Sequence, residues 1–135
     1  MLAQNFKTAE ELGIKQEELG ALIKVLGMLE RSELTYAPYD TRKRGAATAG
    51  FTGHFNMNAW HLPAECGTIA CIGGTAELVG GFYFDLEVGS DLYCLFYPSR
   101  EVWNCKYEEI TIDQAARALR SYLTTGKAGW SNILE

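Results

Sequence analysis

One stretch limits what this chain can fold into more than any other: Cys66-Gly67-Thr68-Ile69-Ala70-Cys71-Ile72-Gly73-Gly74-Thr75-Ala76-Glu77-Leu78-Val79, in which Glu77 is the single ionised residue. Ile69, Ile72, Ala76 and Val79 recur at helical spacing. Thr68 is a residue type whose hydroxyl accepts from an orphan N–H at a helix start. Each glycine costs a helix up to about 1 kcal/mol relative to alanine, so the pair Gly73-Gly74 needs a compensating close approach by a bulky ring or another backbone. Gly80-Gly81 supplies a stop. The stretch therefore predicts a buried small-residue helix over 68–79 that the rest of the chain packs around.

The remaining elements read as mainly α, with four to five helices in one domain over residues 1–135. Thr8-Ala9-Glu10-Glu11 is a capping box opening a short helix that Gly13 ends. A second helix runs from about Lys15 to Arg31, with Leu19, Leu22, Ile23, Leu26 and Leu29 on one face and Glu17 and Glu18 at the positive end of its dipole. Ser90 caps a short helix through Phe96, and Pro98 ends it. Thr111-Ile112-Asp113-Gln114 is another capping box, followed by an amphipathic face of Ile112, Ala115, Ala116, Leu119, Tyr122 and Leu123 that stops at Gly126. Arg117 and Arg120 face away from that side and read as solvated, and Trp130, Ile133 and Leu134 as an apolar tail docking on the core. A minor β element fits residues 82–88, with Phe82, Phe84, Leu86 and Val88 on one face, although an extended connection fits equally well. The aromatic-rich run from Phe51 to Pro63 holds both histidines, His54 and His61, and predicts a lid of Phe, Met and Trp over the small-residue face.

Charge narrows the function classes. A net charge of −5 argues against a general nucleic-acid binder. No window approaches about 18 consecutive apolar residues, so no membrane-spanning helix is expected. Residues 1–11 lack an apolar signal region and carry early acids, which points to a cytoplasmic protein. In that setting Cys66, Cys71, Cys94 and Cys105 are expected as reduced thiols. The basic cluster Arg42-Lys43-Arg44 stands in residues 41–64, where no acid occurs. It merges into the Gly-rich run to Gly53, and residues 41–53 read as a flexible basic loop. Phe51 follows Gly50 where a phosphate-binding lysine would be needed, so this is not a Walker A loop.

Several motifs recur together in order: Phe55-x-Met57-x-x-Trp60, then Cys66-Gly67-Thr68-x-Ala70-Cys71-Ile72-x-Gly74, then Leu95-Phe96-Tyr97-Pro98, then Ile110-Thr111-x-x-Gln114-Ala115-Ala116, with Thr125, Gly126 and Trp130 closing. Over roughly residues 55–130 the chain resembles a group of small proteins from bacterial genomes and phage or prophage regions that has no established activity. The resemblance implies a cytoplasmic accessory protein and carries over no catalytic residue.

Three chemistries compete. Cys66 just before a helix N-terminus is a candidate nucleophile, because the dipole there lowers a thiol pKa, with His61 or His54 as base and Asp85 or Asn58 as orienter. Cys66, Cys71 and His61 are a weaker candidate metal set, because their spacing is wider than the usual zinc pairs and two residues five apart on one helix point about 140° apart. The third is an interaction module. Three Trp, seven Tyr and six Phe exceed what a small core needs, and a groove beside Trp60 and Trp103, rimmed by Arg42, Lys43 and Arg44, would suit an acidic partner. Residues 8–31 also match a helix-turn-helix spacing through Ala9, Gly13, Ile14 and Leu19. The would-be recognition helix opens with two carboxylates that would face phosphates. The expectation is a non-enzymatic protein-interaction or assembly module with no cofactor, whose partner is another protein or a second copy. A cysteine-dependent enzyme and a helix-turn-helix DNA binder are the alternatives.

Overall fold

The computed structural model describes residues 5–37, 53–60, 62–64 and 67–134, with only the backbone described at 62–64, 67 and 68. Those residues form six α-helices: α1 (Ala9–Leu12), α2 (Gln16–Glu30), α3 (Ile72–Gly80), α4 (Asp91–Phe96), α5 (Ile112–Thr125) and α6 (Trp130–Leu134). Four short strands accompany them: β1 (Thr35–Tyr36), β2 (His54–Phe55), β3 (Leu62–Ala64) and β4 (Gly67–Ala70). The expected mainly helical chain with minor β content is the architecture observed.

The helix starts follow local chemistry. Thr8 Oγ1 accepts from the Glu11 N–H while Glu11 Oε1 accepts from the Thr8 N–H, and Thr111 and Gln114 repeat the same reciprocal pair. These bonds satisfy donors that a helix start would otherwise leave without partners. Gly13 and Gly126 close α1 and α5 in the left-handed region, at φ of 71° and 87°. At the head of α2, Glu18 reaches back to the Lys15 N–H at 2.8 Å. Helix α2 is the hub. Its Leu22 and Val25 are fully buried, and it packs against both α3 and α5. Arg120, exposed as read, also donates through Nε and Nη2 to both Glu30 oxygens at 2.8 and 2.7 Å, tying α5 to α2. The tail docks as expected, because Trp130 is fully buried and its indole N–H donates to the Leu95 carbonyl.

One expectation is corrected. The helix expected over 68–79 begins at Ile72, and residues 67–70 are strand β4. The sheet order is β1-β2-β4-β3, with β1, β2 and β4 parallel and β3 antiparallel to β4. The partner strands decide the matter. The Asn56 N–H donates to the Ala70 carbonyl, and β4 is paired on both edges. A residue inside a two-sided ladder cannot also begin a helix, so Thr68 is not the cap. Cys71 is the cap, its Sγ accepting from the Gly74 N–H at 3.4 Å. Ile69 and Ile72 share helical spacing because an inward strand residue and an inward helix residue happen to flank the junction.

The choice left open over residues 82–88, strand or connection, falls to the connection. Phe82, Phe84 and Leu86 are half-buried and Tyr83, Asp85 and Glu87 exposed, the alternation of a strand, yet among the described residues no strand pairs with them. Val88, expected on the inward face, is 71% exposed. Among the described residues no helix is long and apolar enough to cross a membrane.

Candidate functional site

The double glycine of α3 meets its expected ring. A methyl group added at Gly73 would collide with the six-membered ring of Trp60, and one at Gly74 would overlap the Trp60 carbonyl oxygen. The lid over the small-residue face is therefore real, with Phe55 and Met57 buried beside it. Trp60 is held on its other sides as well. It stacks on Tyr97 with centroids 6.3 Å apart and meets Phe96 edge-on at 5.5 Å. Its indole N–H donates to Glu77 Oε1 at 2.7 Å, and Glu77 Oε2 accepts from the Phe84 N–H at 2.7 Å. Glu77 is 6% exposed, and this carboxylate joins the segment after β2, helix α3 and the segment 82–88. Trp60, expected to flank a docking groove with Trp103, is thus turned into the fold.

The thiol candidates separate. Cys66, His61 and the basic cluster Arg42, Lys43 and Arg44 lie outside the described residues. His54 sits in β2, paired in register with Thr35 and Ile69. Cys71 is buried, and that burial pushes its thiol up to about 12, so it stays protonated as a cap. Burial likewise raises Cys94, helped by Glu101 and Asp91, and raises Cys105, helped by Glu108 and Glu109. None of these three has the lowered pKa a nucleophile needs. Among the described residues no group of three His, Cys, Asp or Glu gathers to hold a metal.

The side chain that stands out is Trp103, 90% exposed. Its loop is braced on both sides. Pro98–Arg100 and Tyr107–Glu109 form 3-10 turns, and the Tyr107 hydroxyl ties them by meeting Ser99 Oγ at 2.7 Å and accepting from the Ser99 N–H at 3.3 Å. Glu101 Oε1 accepts from the Trp130 N–H at 2.8 Å, and the Tyr36 hydroxyl donates to the Glu108 carbonyl at 2.7 Å. Asn104 takes φ of 63°, a left-handed conformation that turns the chain back at the loop tip. Beneath the loop a groove of about 330 Å³ is lined by Val102, Cys105, Ile110 and Leu134, with Lys106 and Glu109 among its polar members.

The sequence reading named Trp103 but missed its bracing, because the Ser99–Tyr107 and Trp130–Glu101 contacts join distant positions. It also gave no role to Glu77, although a lone charge in an uncharged run is itself a signal that a partner must be waiting. No family model, no curated protein and no solved structure matches the chain.

Proposed function

We propose that this chain is a non-enzymatic interaction or assembly module that docks a protein partner through the Trp103 loop. The observation that carries the reading is the 90% exposure of Trp103 on a loop held by hydrogen bonds at both ends. A tryptophan buries about 150–250 Å². At about 25 cal/mol per Å², enclosing it is worth about 4–6 kcal/mol before the costs of association. A braced loop pays little further entropy on binding, and the apolar floor of Val102, Ile110 and Leu134 beside it extends the contact. Tryptophans in this position are characteristic interface hot spots. In the cytoplasmic, phage-associated setting that the sequence resemblance implies, such a module would act as an accessory to a larger assembly.

The test places a photoreactive benzoylphenylalanine at position 103, and separately at exposed Lys24 on α2, in cells producing the protein. The expected outcome is one discrete cross-linked species from position 103 that is absent from position 24, its mass telling a second copy from a different protein. Equal cross-linking from both positions, or none from 103, removes the reading.

A further inference from the structure

We propose that the partner of the Trp103 loop is a second copy of this chain, joined across a two-fold axis that seats each Trp103 in the groove beneath the other copy's loop. The proposal rests on the reading of that loop as the docking surface and names its occupant. Val102 and Asn104 line the groove, whereas Trp103 between them is 90% exposed and is not among its walls. The ring is turned out of its own groove, so a ring that fills the groove comes from outside the chain. The groove suits an indole in size and chemistry. At about 330 Å³ it stands at the small end of the about 300–1,000 Å³ that ligand pockets span. Val102, Cys105, Ile110 and Leu134 make it apolar, and Glu109 is among its polar members. A buried indole N–H needs an acceptor. This chain already meets that need once with a glutamate, because Glu77 accepts from the Trp60 indole at 2.7 Å while its other oxygen takes a backbone N–H.

Charge selects a second copy over another partner. Lys106 and Glu109 both line the groove, both are exposed, and neither forms an ion pair among the described residues. A partner surface of one charge sign answers one of them and opposes the other. A two-fold interface is self-complementary: where residue i of one copy meets j of the other, j meets i as well. Across such an axis Lys106 of each copy meets Glu109 of the other, and both charges are answered at once. The same patch that projects a ring also holds the recess that receives one. A contact built on this one patch belongs with the transient interfaces that bury less than about 1,200 Å², so the dimer is reversible.

The test is sedimentation velocity on the purified full chain at concentrations from about 1 to about 500 μM. The expected result is monomer at the low end and a species of twice the chain's mass at the high end. W103A removes two rings per dimer and should weaken it about tenfold or more. K106E sets two acids of one copy against two of the other, and E109K does the same with lysines, so each should weaken self-association about fivefold or more. Mixed in equal amounts, these two variants should join each other at least about fivefold more tightly than either joins itself, because every acid then meets a lysine. Mixing does not repair a misfolded chain, and an unchanged circular dichroism spectrum checks the fold of W103A. The proposal is overturned by a chain that stays monomeric throughout, by a dimer indifferent to W103A, by a mixture that fails to associate, or by growth into open-ended oligomers, which a two-fold contact forbids. A monomeric chain whose position 103 cross-links a different protein in cells would overturn the second copy and leave the Trp103 loop standing as a docking surface. A dimer indifferent to W103A, with no cross-link from position 103, would remove both.

Discussion

Trp60 and Trp103 put the same side chain into two regions that treat it in opposite ways. Around Trp60 every contact subtracts freedom: two glycines beneath, Tyr97 stacked above, Phe96 at the edge and Glu77 on the indole nitrogen. Around Trp103 the contacts brace the loop and leave the ring itself 90% exposed. The first region uses an aromatic ring to close a core. The second uses the core, through Trp130 and Glu101, to present a ring. Composition alone cannot tell these roles apart, since an aromatic excess counts both equally. The neighbouring residues can. Trp60 precedes a helix stripped of side chains at Gly73 and Gly74, and Trp103 stands between Val102 and Asn104 with no small-residue face to receive it.

The comparison is broken most directly by truncating each ring. Trp60→Ala opens a cavity over α3 and leaves the Glu77 carboxylate short of a donor, so a loss of about 4 kcal/mol in urea unfolding is expected. Trp103→Ala should stay within about 0.5 kcal/mol of the parent, as an exposed position does. Similar losses for both would mean that Trp103 also closes a core. Next in size is Glu77→Gln. The amide presents an N–H₂ group where one of two donors, the Trp60 indole or the Phe84 N–H, now points at an oxygen. One donor is then left without an acceptor, which costs about 1–3 kcal/mol. The indole fluorescence should change with it, and amide exchange at Phe84 should quicken. An unaltered exchange rate there would remove Glu77 as the joint between the two segments.

How much of this was legible in the sequence depended on the range of the forces involved. The capping boxes at Thr8 and Thr111, the helix stops at Gly13 and Gly126 and the amphipathic face of α5 are set within a turn of chain, and each stands where it was read. The requirement that a ring cover Gly73 and Gly74 was legible too, because two glycines in a helix have a cost that something must offset. The strand at 67–70 was not, because Ile69 and Ile72 satisfy a helical period and the decisive partner, β2, is supplied from outside the stretch. Residues 82–88 are the converse. From Phe82 to Glu87 the burial alternates as in a strand, yet among the described residues no strand pairs with them, so period alone could not decide. Of the candidate site residues, Trp103 was legible only as one of the rings beside an expected groove. The bracing that makes it a presented ring depends on Tyr107, Glu101 and Trp130, which share no local pattern.

A smaller effect tests the core side of the comparison. Burial raises the Cys71 thiol from its ordinary value of 9.0 to about 12, so the folded chain keeps a proton that the unfolded chain releases. The sign follows directly: the stability this group contributes is fully present below about pH 9 and is lost as the pH rises toward 12. The slope from Cys71 alone is at most about 1.4 kcal/mol per pH unit. Above pH 10 the raised Tyr122 hydroxyl adds in the same direction. Cys71→Ser should keep the cap, through its hydroxyl, and flatten the decline between pH 9 and 10. A decline of unchanged steepness in that variant would show that Cys71 does not carry it.

The smallest expected change separates two rings within the core itself. Trp130 and Tyr122 are both fully buried. The polar end of Trp130 is matched by the Leu95 carbonyl at 3.0 Å, while the Tyr122 hydroxyl has no hydrogen-bond partner among the described residues. An unmatched buried hydroxyl carries a desolvation penalty that removing it relieves, against the loss of one atom's packing. Tyr122→Phe is therefore expected to be neutral or to raise stability by up to about 1 kcal/mol. It should also remove the part of the alkaline decline that sets in above pH 10. Urea midpoints at pH 7 and pH 10.5 check both effects in one series. A loss above about 1 kcal/mol at pH 7 would show that the hydroxyl is hydrogen-bonded in solution, and the contrast with Trp130 would then disappear.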